Sequence, residues 1–127
     1  MKKILLPILV FILLTLQVYG EYDKDAVVKA MRNNLTQLKA MKAAAANKDF
    51  DAAAEAIWAL ADGMKSVRGF TPLKGTATGW ANTIDELVAA AYKGIGACGE
   101  KDIGKLKGAI AELGSFARKG HSQFRVK

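Results

Sequence analysis

The chain has very few cysteine, histidine and proline residues. It has 127 residues, with one cysteine, two prolines and one histidine. Cys98 stands alone and cannot form an internal disulfide, so packing must hold the fold together. We expect Cys98 to be a small, partly buried residue at a helix end, with an intermolecular bridge as the alternative. A single histidine also excludes a zinc site built on a histidine pair.

The motifs of the common enzyme classes are missing as well. No serine–histidine–acid arrangement can be proposed, and the chain has no glycine-rich loop for binding phosphate. Two acidic pairs, Asp49 with Asp51 and Asp85 with Glu86, are better interpreted as charges at helix starts than as acid–base pairs. The sequence therefore predicts that the protein is not an enzyme.

Acidic residues are outnumbered, with 19 Lys and Arg against 12 Asp and Glu and a net charge of +7. The basic residues are interspersed with apolar positions and form no block. We interpret them as solvated outer faces and expect no nucleic-acid partner, although a docking surface for an acidic protein is left open.

Long apolar runs are confined to the first twenty residues, MKKILLPILVFILLTLQVYG. Two lysines, a charge-free apolar run and small residues near Gly20 are typical of a secretory signal peptide. The run at 4–16 is shorter than the roughly 20 apolar residues of a transmembrane helix, so an uncleaved anchor is the lesser alternative. We predict a signal peptide at 1–20, cleavage after Gly20, a periplasmic location and one domain at 21–127.

Helical periodicity dominates that domain, because apolar residues recur every three or four positions while strand patterns are scarce. Asp49 is expected to cap the second helix, Gly99 to end the third, and Asp102 to favour the start of the fourth. The predicted helices lie at about 24–46, 49–67, 79–97 and 101–125.

The connections between these helices predict how they pack. The first and third connections are short, which makes antiparallel hairpins, whereas the second, at 68–79, is long enough to cross over. The sequence therefore predicts an all-α, antiparallel four-helix bundle.

The single histidine borders the apolar face of the fourth helix. His121 lies four residues after Ala117 and three before Phe124, and Gly120 precedes it directly. The apolar side chains become small here, and an empty gap would destabilise the bundle in proportion to its volume. Either a flat ligand fills the gap or bulky side chains do, and a merely packed or exposed histidine is the simpler alternative. The bulky candidates are Met31, Leu35, Met64, Trp80 and Phe116.

Three stretches resemble the cytochrome c prime family of four-helix haem proteins. ELGSFARKGHSQFRVK resembles the family's last helix, which carries a Gly, then Cys-x-x-Cys-His, two residues, an aromatic residue and Arg. GFTPLKGTATGW resembles its long loop, and DAVVKAMRNNLTQL its first helix. The resemblance spans nearly all of 21–127 and implies a cytochrome c prime-like bundle, with His121 as the proximal ligand of the haem iron and Arg125 as the proximal-side arginine.

The chain departs from that family where haem is attached. Ala117 and Gly120 stand in place of the two cysteines, so thioether bonds to haem cannot form, and Cys98 is too distant to replace either. The chain is also similar to the periplasmic four-helix b-type cytochrome, which holds haem non-covalently through a terminal-helix histidine and a first-helix methionine.

These resemblances imply a ligand set on the first helix. Met31 would be the distal ligand of an electron carrier, with plain core packing of Met31 as an equal alternative. Leu35 or Leu38 facing the iron would instead leave a five-coordinate site for a gas. Arg32 and Arg125 would pair with the haem propionates, with solvated surface positions as the alternative for both.

The implied function is non-covalent b-type haem binding, in electron transfer with a redox partner protein or in binding a diatomic gas. The family commonly forms homodimers through its first two helices. The alternative is a haem-free homologue acting as a binding or structural module. Loss of both cysteines with retention of His121 is compatible with either.

Overall fold

The structure is a computed structural model that describes residues 20–124, except for the side chain of His121. Within this range the only extended pairing is an isolated bridge between Gly20 and Phe70. The predicted all-α four-helix bundle is confirmed. Its helices are α1 (Lys24–Ala46), α2 (Phe50–Lys65), α3 (Ala77–Glu100) and α4 (Ile103–Phe124).

Side-chain caps set the helix starts where the sequence predicts them. The carboxylate of Asp49 accepts a hydrogen bond of 3.1 Å from the amide three residues on, and Asp51 lies in the first turn of α2. Asp102 accepts the corresponding bond at the start of α4, at 3.0 Å. The predicted stop at Gly99 is wrong, because α3 runs past it and ends where Lys101 adopts a left-handed φ of 56°.

The interpretation of Asp85 and Glu86 as helix-start charges is also wrong, since both lie well inside α3. Asp85 accepts two hydrogen bonds from the Arg68 guanidinium, at 2.7 and 2.9 Å. This pairing lowers the pKa of the Asp85 carboxyl below its ordinary value. Glu86 lies 3.4 Å from the ammonium of Lys119. The two carboxylates therefore tie α3 to the preceding loop and to α4.

The helices pack in ring order, α1 on α2, α2 on α3 and α3 on α4, while α4 and α1 touch least. No residue of α4 after Leu113 is buried among those described, and the buried residues in the first half of α1 are Val27, Ala30 and Asn34. These two half-helices face each other because the bundle is antiparallel, so the fold opens at this end. The largest fully buried side chains are Met41, Ile57, Leu60, Val67, Ile84, Leu106 and Leu113.

Cys98 lies buried in the last turn of α3, and burial raises the pKa of its thiol. The neutral thiol is a much weaker nucleophile than the thiolate. An intermolecular bridge at Cys98 would therefore require local opening of the helix end.

The predicted signal peptide lies outside the described residues except for Gly20. The Gly20 amide donates to the Gly69 carbonyl at 2.7 Å, and the Thr71 amide donates to the Gly20 carbonyl at 2.9 Å. Cleavage after Gly20 would remove both bonds. Among residues 20–124, no helix is long and apolar enough to cross a membrane.

Candidate ligand-binding cleft between the first and last helices

A cleft of about 590 Å³ lies between α1 and the end of α4. Its volume falls within the roughly 300–1,000 Å³ of sites that bind small molecules and cofactors. Gly120 and Phe124 of α4 form one wall, and α1 forms the opposite wall. Pro72 and Leu73 of the long loop close one side, together with Trp80 of α3.

The wall formed by α1 is mostly apolar. Val27, Val28, Met31 and Leu35 recur at helical spacing and line the cleft. Arg32 lies on the same wall and is exposed. The cleft therefore offers an apolar surface with a fixed positive charge at its edge.

The rim of the cleft carries two strongly exposed leucines. Leu35 is 60% exposed on α1 and Leu73 is 65% exposed on the loop. Large apolar side chains exposed beside a cleft are typical of surfaces that bind a ligand or a partner.

Trp80 forms the inner surface of the cleft and is held in place from two sides. It is buried, and its indole N–H donates to the carbonyl of Val67 at 2.7 Å. Its ring meets the ring of Phe124 edge to face, with centroids 5.3 Å apart. These contacts fix the indole plane without any ligand.

Gly75 of the long loop and Gly79 in the first turn of α3 seat the end of α4. A Cβ at Gly75, where φ is 85°, would lie 2.9 Å from Cε1 of Phe124, and one at Gly79 would lie 3.7 Å from Cζ. Lys74 adds a hydrogen bond of 3.2 Å from its ammonium to the carbonyl of Ser122. The loop thereby sets the position of the α4 wall and the width of the cleft.

The structure brings three of the predicted site residues together, since Met31, Arg32 and Gly120 all line the cleft. Ala117 lines a cavity of about 20 Å³ directly behind it. A Cβ added to Gly120 would meet no atom within 4 Å. The position at which the resemblance predicts a cysteine therefore has no atom packed against it.

The remaining two predicted residues are not tested. His121 belongs to α4, but its side chain is outside what the structure describes. Arg125 lies beyond the described residues. Their predicted roles, as iron ligand and propionate partner, stay predictions.

Side chains fill the interior behind the cleft. Four of the five bulky side chains that the sequence offers to fill the gap line the 20 Å³ cavity: Met31, Met64, Trp80 and Phe116. Leu35 is the exception and is exposed. A flat ligand therefore has no space at the centre of the bundle and would have to lie in the cleft.

Met31 lies between the cleft and this interior. Its sulfur is 3.9 Å from Nδ2 of Asn34. Leu38 packs against the core rather than lining the cleft. Of the three candidate residues for the distal side, Met31 and Leu35 thus line the cleft and Leu38 does not.

Sequence reasoning missed several lining residues. Tyr22 precedes α1, and Lys24 lies four residues before Val28 and eight before Arg32, on one face of the helix. That spacing could have indicated Lys24 as a second cation at the site. Nothing in the sequence indicated Leu73.

Comparison with known proteins gives no match to any family model, curated protein or solved structure. The resemblance to the cytochrome c prime family therefore stays a prediction, and the function must be argued from the cleft itself.

Proposed function

We propose that the protein binds haem non-covalently in the cleft between α1 and α4. The observation that carries the proposal is the open apolar space over Gly120. It has a volume of about 590 Å³, and the neighbouring residue in α4 is the chain's one histidine. Gly120 lines the cleft, and a Cβ added there would meet no atom within 4 Å.

The chemistry of the walls fits a porphyrin that carries carboxylates. Val27, Val28 and Leu35 would contact the apolar faces or edges of the ring. Arg32 and Lys24 lie in the same wall and would pair with the carboxylates through charge-assisted hydrogen bonds. The fixed indole of Trp80 would exclude water from the inner side.

His121 is the proposed iron ligand, through one nitrogen of a neutral imidazole whose other nitrogen needs a hydrogen-bond partner. Bound haem would supply a redox-active iron whose behaviour depends on its axial ligands and surroundings. Met31 as second ligand would suit electron transfer with a redox partner protein. A site without it would suit a diatomic gas. The proposal includes export to the periplasm.

Hemin titration of the purified protein tests the proposal. We expect a Soret band that saturates near one hemin per chain and is lost in His121→Ala. Gly120→Leu should also abolish the band, because the leucine side chain would occupy the cleft.

Gly108→Leu is the matched control. Gly108 lies on the same helix, and a Cβ there also meets nothing within 4 Å, but it lies outside the cleft. The Gly108→Leu variant should bind hemin as tightly as the unmodified protein does. Equal binding by both leucine variants, or no band with any of the proteins, would contradict the proposal.

The second candidate is a haem-free binding module, and exposed Leu35 and Leu73 at the rim favour it. A cooperatively folded helical protein that gives no Soret band would support this alternative.

A further inference from the structure

The buried core of the described part contains one polar side chain, Asn34. It is 5% exposed, and its Oδ1 atom has no hydrogen-bond partner among the described protein groups. A buried amide oxygen without a partner is strongly unfavourable, and such groups in proteins are commonly satisfied by ordered water.

The orientation of the amide is fixed by its other end. Nδ2 of Asn34 donates to the sulfur of Met64 at 2.9 Å, with a longer contact of 3.9 Å to the sulfur of Met31. A thioether can accept a hydrogen bond but cannot donate one. Exchanging the nitrogen and oxygen would therefore set two acceptors against each other, so Oδ1 must face away from Met64.

Asn34 lines the cavity of about 20 Å³ behind the cleft, and the half-buried Thr83 of α3 also lines it. A single buried water needs at least about 10–15 Å³ and two or more polar partners. The amide oxygen of Asn34 accepts a hydrogen bond, and the hydroxyl of Thr83 can donate or accept one. The cavity has the volume for one water and no larger ligand.

We propose that one buried water occupies this cavity and bridges Asn34 of α1 to Thr83 of α3. It donates one hydrogen to Oδ1 of Asn34 and bonds to Oγ1 of Thr83. The bridge joins diagonal helices whose backbones, within the described residues, do not pack on each other. Met31, Trp80 and Gly120 line both cavity and cleft, so the water supports the wall between them. This inference does not depend on haem.

Nuclear magnetic resonance tests the water directly. Met31, Met64 and Leu87 line the cavity, and their methyl protons do not exchange with solvent. We expect Overhauser effects from water to these methyl protons. They should disappear in Thr83→Val and in Asn34→Leu. The second variant keeps the Thr83 hydroxyl, so loss of the effects there excludes relay through that hydroxyl. Absence in the unmodified protein, or persistence in both variants, would overturn the proposal.

A double-mutant cycle gives an independent test by chemical denaturation. Thr83→Val should raise the unfolding equilibrium constant about tenfold in the unmodified protein, through loss of a buried hydrogen bond. In the Asn34→Leu background the change should be about twofold or less, because the bridge is already absent. Thr78→Val is the control, since Thr78 is exposed on the same helix. If the free-energy changes of Thr83→Val and Asn34→Leu simply add in the double variant, the proposed water bridge is overturned.

Discussion

The contact of Phe124 with Gly75 makes a prediction about what holds the cleft wall in place. Gly75→Ala adds a Cβ 2.9 Å from Cε1 of Phe124, at a residue whose φ is 85°. The left-handed backbone alone costs an L-residue about 1–2 kcal/mol. Displacing the aromatic ring adds a steric cost of about 1–3 kcal/mol, as for overpacking elsewhere. We expect Gly75→Ala to lower the free energy of unfolding by about 2–5 kcal/mol, the sum of these two costs.

A double-mutant cycle with Phe124→Ala separates the two costs. Without the ring, Gly75→Ala should lower the free energy of unfolding by only the backbone cost, about 1–2 kcal/mol. The assay is urea denaturation of the four proteins, followed by circular dichroism. If Gly75→Ala costs the same with and without the ring, the loop does not seat the end of α4 through this contact. Hemin affinity should fall in both single variants, because each moves the α4 wall.

Three further predictions concern the fold. The free energy of unfolding of Gly94→Ala should be about 1–3 kcal/mol lower than that of Gly96→Ala in the same assay. A Cβ at Gly94 would lie 2.9 Å from Cδ1 of buried Ile57, whereas a Cβ at Gly96 would meet nothing within 4 Å. Asp85→Asn should lower the free energy of unfolding by roughly 0.5 kcal/mol at neutral pH, since the pair with Arg68 is half exposed. Because the folded pKa of Asp85 lies below 3.8, this difference should hold above that pH and vanish as pH falls through the folded pKa. Cys98 should react with iodoacetamide only as fast as its helix end opens, and rapid labelling of the native protein would contradict its burial.

The sequence was sufficient for the helices and their antiparallel order, because apolar periodicity and loop length are local properties. It failed at one helix end and at one ion pair. Gly99 looked like a helix stop, yet Lys101 adopts the left-handed conformation instead. Asp85 looked like a helix-start charge, yet it pairs with Arg68 from the preceding loop.

In the candidate site, too, some positions follow from local sequence pattern and others from distant contacts. Met31, Arg32 and Gly120 were predicted and share the cleft. Asn34 and Leu35 lie three and four residues after Met31, so helical spacing alone allows either to face inward. The structure places Asn34 inside, where the Met64 sulfur accepts its amide hydrogen, and leaves Leu35 on the rim. The sulfur that accepts from Asn34 lies thirty positions along the chain, and no local pattern reveals such a contact.

The most direct test of the central claim is to locate a porphyrin on the folded protein. Zinc protoporphyrin added to isotope-labelled protein shifts the amide resonances of nearby residues through its ring current. We predict the largest shifts at Val28, Met31 and Gly120 in the cleft, and the smallest at Trp58 and Tyr92, whose rings pair on the α2–α3 surface. Shifts centred on Trp58 and Tyr92, or no shifts with one equivalent of porphyrin, would contradict the claim.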